Sequence, residues 1–96
     1  MEAPVIAADV LARYAGDAAL EVAGVSGLTR DAAEVSSSAE KADVVVHLEL
    51  EWGASADAVA RQVQERVADY LGRMANLDVA SVDVVVERVG APPAKQ

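Results

Sequence analysis

Ninety-six residues with no cysteine and a net charge of −8, from 16 acidic and 8 basic side chains, describe one small acidic domain with room for a single core. Disulfides, thiolate metal sites and a cysteine nucleophile are excluded, and the charge opposes direct contact with nucleic-acid phosphates or anionic lipid headgroups, so neither is expected as a partner. The 53% apolar content is largely Ala and Val with no Phe; this favours thin, closely packed layers over a roomy substrate cavity.

In chain order, Val5 and Ile6 precede a helix whose polar residues Asp9, Arg13, Asp17 and Glu21 recur every four residues. Val10, Leu11, Tyr14, Ala15, Ala18, Ala19 and Val22 fill the remaining surface, so this helix is expected to be nearly all buried, its alanines allowing close approach to a sheet. It is read as ending at Gly24, with Gly24-Val25-Ser26-Gly27 as the turn. Residues 28–40 are the least patterned; Ala33-Glu34-Val35-Ser36 reads as a weak edge strand, followed by a loose hairpin connection.

The strongest signal follows. Val44, Val46, Leu48, Leu50 and Trp52 alternate with His47, Glu49 and Glu51, the period of a half-buried strand. After Gly53, Ser55 is placed to cap a helix starting near Ala56, with Asp57 complementing the positive end of its dipole. Ala56, Val59, Ala60, Val63, Val67, Tyr70, Leu71 and Met74 make an apolar stripe, and Asp57, Arg61, Glu65, Asp69 and Arg73 a charged ladder opposite. Asn76 suits the left-handed cap that ends a helix. Val82, Val84 and Val86, alternating with Asp83, Val85 and Glu87, form the last strand.

The expected fold is α+β: a small three-stranded sheet with two helices packed on one face and the other face open, the weak strand at an edge. Residues 1–90 are expected to form one domain and residues 91–96, with Pro92 and Pro93, a disordered tail. No apolar run approaches the roughly 18 residues of a membrane span, and no signal-peptide pattern opens the chain, so a cytoplasmic location is expected.

Several segments together resemble the alkaline-shock, or envelope stress response, protein family of Gram-positive bacteria. These are Ile6 through Val25 with Val10-Leu11 and Ala18-Ala19-Leu20-Glu21, the valine-rich strand closing in Trp52-Gly53, the Gln64-Glu65-Arg66-Val67 run, and Leu77-Asp78-Val79 leading into Val82 to Val86. The glycine that relatives place after the second helix is Asn76 here. The resemblance implies a non-enzymatic protein of cell-envelope homeostasis, prone to self-assembly and often held at the membrane by a small integral membrane protein; it implies no catalytic residue and no cofactor.

Chemical alternatives are weaker. His47, Glu49 and Glu51 succeed one another on one strand face at spacings of about 7 Å, so as metal ligands they diverge. The serines sit in turns or caps, away from the single histidine, which disfavours a hydrolytic triad. Gly24-x-x-Gly27 invites comparison with the loop that clamps nucleotide backbone in K-homology domains, making a small RNA-binding domain the alternative function. Those loops join two helices and usually carry a basic residue, absent here. The expected contact surface is therefore the open sheet face, where Val45 and Val85 interrupt the polar pattern within a rim of His47, Glu49, Glu51, Asp83 and Glu87.

Overall fold

A computed structural model describes residues 8–30, 33–38 and 41–92 of the chain. The elements run α1 (Ala8–Leu20), β1 (Val25–Leu28), β2 (Glu34–Ser38), β3 (Lys41–Leu50), α2 (Ala56–Ala75) and β4 (Asp78–Val89). Val5, Ile6, residues 39 and 40 of the hairpin connection, and all of the expected tail except Ala91 and Pro92 lie outside the described residues.

β3 is the axis of the sheet. Along one side it pairs in parallel with β4 from Lys41 to Leu50, the arrangement that a crossover helix such as α2 permits. Along its other side it pairs antiparallel with β1 near Leu48 to Leu50 and with β2 from Lys41 to Val45. The Thr29 N–H donates to the His47 carbonyl at 3.0 Å, carrying the β1 ladder one residue further. The sheet is thus four-stranded and mixed, but three rows wide, because β1 and β2 follow each other along the same side of β3.

The expected three-stranded sheet thus has a fourth strand, β1, and the bounds of its neighbours change with it. Val25 to Gly27 is strand and not turn: the chain reverses one step earlier, at Gly24, whose φ of 98° lies in the left-handed region. α1 likewise ends at Leu20, and Glu21 and Val22 continue only as tight turns onto the Ala18 and Ala19 carbonyls. β2, expected as Ala33 to Ser36, runs to Ser38, and it does occupy the edge row.

Both helices contribute to one core with the same face of the sheet. Val44, Val46 and Leu48 of β3 are fully buried there, with Ala15, Ala18 and Ala19 of α1 and Val63, Val67 and Leu71 of α2. Fully burying one Val or Leu side chain contributes roughly 1.5 to 3 kcal/mol, so these six valines and leucines are the principal hydrophobic anchor. Tyr14 and Tyr70 meet edge to face where the helices cross, ring centroids 5.9 Å apart, as aromatic pairs prefer.

The caps of α2 are as expected: the Ser55 hydroxyl accepts from the Ala58 N–H at 3.4 Å, and Asn76 is left-handed at φ 53°, ψ 40°. In the charged ladder, Asp69 and Arg73 pair at 3.2 Å, while Arg66 reaches Glu21 near the end of α1 at 3.6 Å. The stripe is less complete than its periodicity suggests. Met74 is half exposed, and on β4 burial falls from Val82 through Val84 to the exposed Val86 and Val89. The helices cover only the first half of that strand. Trp52, which the alternation of β3 places at the core or its rim, is 58% exposed. β3 stops at Leu50, the Glu51 N–H turns to the Gly24 carbonyl at 2.8 Å, and Gly53 at φ 87° redirects the chain toward α2.

Candidate functional site: the outer face of the sheet

The face away from the helices carries the odd-numbered residues of β3 and their neighbours. Val45 lies beside Glu34 on one side and Asp83 on the other; His47 lies beside Val85; Glu49 lies opposite Gly27 and Arg88. Six of the seven residues expected on this face, namely Val45, His47, Glu49, Asp83, Val85 and Glu87, are therefore brought together. Glu51 is not: it sits past the strand end, exposed in the turn.

A bulge decides the polar geometry. Between Val86 and Arg88 the register with β3 shifts by one residue, leaving Glu87 as the extra residue. Bulges bend the strand and re-aim side chains, and here Glu87 reaches across β3. Its Oε1 accepts from the Thr29 hydroxyl at 2.6 Å and from Arg30 Nε at 3.4 Å, and Oε2 accepts from Arg30 Nη2 at 3.4 Å. The Thr29 hydrogen bond foremost, then that of Arg30, holds the Glu87 carboxyl below its ordinary value of 4.5.

His47 lies beneath this bridge. Its side chain is only 12% exposed, with Nδ1 3.3 Å from Glu87 Oε1 and Nε2 3.9 Å from Glu34 Oε2. The Nδ1 contact is close but out of line, and Nδ1 has no hydrogen-bond partner. Two further ties flank it: the Ser26 hydroxyl donates to the Glu49 carbonyl and carboxylate at 3.1 and 3.2 Å, and the Ser81 hydroxyl donates to Asp43 Oδ1 at 2.7 Å. Side chains from all three rows are therefore cross-linked on this face. Thr29, Arg30 and Glu34 were not among the expected site residues; only the pairing of β1 and β2 with β3 brings them there.

Among the described residues no three His, Asp or Glu side chains converge as metal ligands, and no serine approaches His47 within hydrogen-bond distance. Gly27 sits within β1 and Gly24 precedes it, so the Gly-x-x-Gly stretch joins a helix to a strand and nothing here favours the K-homology alternative. What remains is a braced surface, with Val85 39% exposed and Val45 half-buried.

A family model described as having a cell envelope-related function, that of alkaline-shock protein 23, matches residues 2–91. This chain belongs to the alkaline-shock protein 23 family. The match takes in every element of the fold, β1 and β2 included. Among curated proteins none matches significantly. Solved structures of MamM CTD variants share the fold of this family member: one is 18% identical, with 81% of this chain and 90% of that chain covered at a TM-score of 0.55. A cadmium form is 20% identical over 78% of this chain and 88% of that one, TM-score 0.53. Among the described residues, no helix is long and apolar enough to cross a membrane.

Proposed function

We propose that this chain is a non-enzymatic interaction module of the envelope stress response, working in the cytoplasm beside the membrane and held there by a small integral membrane protein. The family match across residues 2–91 carries the reading. The fold supports it by committing both helices to one sheet face and leaving the other to be covered. The surface needed for a partner is present in the exposed Val85 and half-buried Val45 of that face. A charge of −8 disfavours direct docking on anionic lipid, which makes a protein intermediary the better route to the membrane. The docking surface is the outer face around Val45 and Val85, and self-association is a second use of the same region.

Capture from native membranes in mild detergent tests this. The parent is expected to recover an integral membrane protein that a Val45→Lys, Val85→Lys variant, verified as folded by circular dichroism, recovers weakly or not at all. Equal recovery by both would move the docking site to the helices, and recovery of no membrane protein by the parent would overturn the membrane-partner reading.

A further inference from the structure

β4 has a free side. Opposite β3 it pairs with no strand among the described residues, so half of its backbone hydrogen-bonding groups are not taken up by the sheet. Such an edge is a template for another strand. Its second half carries apolar side chains on both faces: Val85 outward, and Val86 and Val89 on the helix side beyond the reach of α2, 39%, 36% and 52% exposed. A solvated edge has little use for valines on both faces.

We propose that this edge pairs antiparallel with the same edge of a second copy, about a two-fold axis at Val85, joining the two sheets into one of six rows. This rests on the self-association reading above and names its partner and geometry. The strand is complementary to itself in that register. Val85 meets Val85 of the partner subunit on the outer face, and Val84 meets Val86 of the partner subunit on the helix side, twice by symmetry. Directly opposed β-branched residues stabilise such a pair.

Charge supports the same register. Asp83 falls opposite the bulge formed by Glu87 and Arg88 of the partner subunit. Glu87 is already turned across β3 onto Thr29 and Arg30, so Arg88 is the charge left to face Asp83. Neither Asp83 nor Arg88 makes an ion pair among the described residues. The contact is thus attractive at both ends, and an edge that would otherwise invite open-ended pairing is closed by a two-fold axis. A foreign strand would have to supply the valines and the opposite charges that a second copy already has.

The chain has no cysteine, so Val85→Cys carries the sole thiol. Opposed Cβ atoms in an antiparallel pair lie about 4.5 to 5.5 Å apart, near enough for a disulfide after small adjustment. Under mild oxidation Val85→Cys is expected to form covalent dimers faster than Val45→Cys, one row further in on the same face. Sedimentation across a dilution series is expected to show Asp83→Arg and Arg88→Asp each weakening the dimer about tenfold, or about 1.4 kcal/mol, with the double exchange restoring it and circular dichroism unchanged. Equal cross-linking of the two cysteine variants, or no restoration by the double exchange, overturns the edge pairing. If the parent still self-associates in that case, the broader reading survives and another surface is used; a parent monomeric throughout removes both.

Discussion

Two glycines with similar backbone angles separate the cost of conformation from that of crowding. Gly24 and Gly53 have φ of 98° and 87°, where an L side chain costs roughly 1 to 2 kcal/mol. A Cβ on Gly53 would meet nothing within 4 Å, whereas one on Gly24 would lie 2.8 Å from a Val59 methyl and 3.3 Å from the Ala54 Cβ. Val59 is buried at the start of α2, so it cannot swing away freely, and overpacking of this kind costs a further 1 to 3 kcal/mol or so. Gly53→Ala is therefore expected to lose about 1 to 2 kcal/mol and Gly24→Ala about 2 to 5. In a domain of this size each kcal/mol moves the melting temperature by about 4 to 8 °C. Urea unfolding followed by far-ultraviolet circular dichroism is the suitable assay, because Trp52 fluorescence would report the Gly53 turn locally. Equal losses would show that the β1 turn does not press on α2, and with it that α2 does not begin where the capping of Ser55 places it.

Other perturbations probe separate parts of the fold. Asn76→Gly is expected to be neutral or stabilising and Asn76→Val to cost about 1 kcal/mol or more, since Asn76 is left-handed; a tolerated valine in thermal melts would contradict the cap. Val63→Asp buries an unpaired carboxylate at a fully buried position and is expected to abolish cooperative unfolding, whereas Gln64→Asp, losing one hydrogen bond to the Val82 carbonyl, is expected to cost about 1 kcal/mol. Equal losses in the same melts would contradict the assigned stripe. Glu87 has its carboxyl held below 4.5 when folded, so its contribution is complete above that value and is lost as pH falls through the lower folded value. The stability gap between parent and Glu87→Gln is expected to be steady near neutrality and to narrow below pH 4.5; a gap unchanged down to about pH 3 would mean the Thr29 and Arg30 contacts do not hold in solution.

The well-patterned elements were legible because their own residues determine them. β3 alternates strictly, α2 has a buried stripe between a serine cap and a left-handed asparagine, and both occur where periodicity places them. β1 was missed for the opposite reason. Val25-Ser26-Gly27-Leu28 is short, contains a glycine and has an irregular register, so its extended form comes from the β3 ladder and not from local preference. Trp52 continues the alternation of β3 by position alone, and nothing local shows that the strand has already ended at Leu50. Val86 follows the period of its strand faithfully yet stays exposed, because its burial depends on how far α2 extends over β4.

The outer face shows the same division. Alternation sufficed to put His47, Glu49, Val85 and Glu87 on one side, but the partner that organises them, Thr29, is 58 residues from Glu87 in the chain and reaches it only through the row that β1 completes. This changes what the face is suited to. A merely solvated surface would keep its charges turned to water, and covering it would strip each of hydration at a cost of several kcal/mol unless the partner replaced it. Here Glu87 already holds Thr29 and Arg30, Glu49 holds Ser26 and Asp43 holds Ser81. Docking then demands fewer new polar partners, and the valines between those ties can be covered with little penalty. The bulge that turns Glu87 across β3 also leaves Arg88 without an ion pair among the described residues, so one irregularity in β4 both quiets the face and leaves a charge beside its edge.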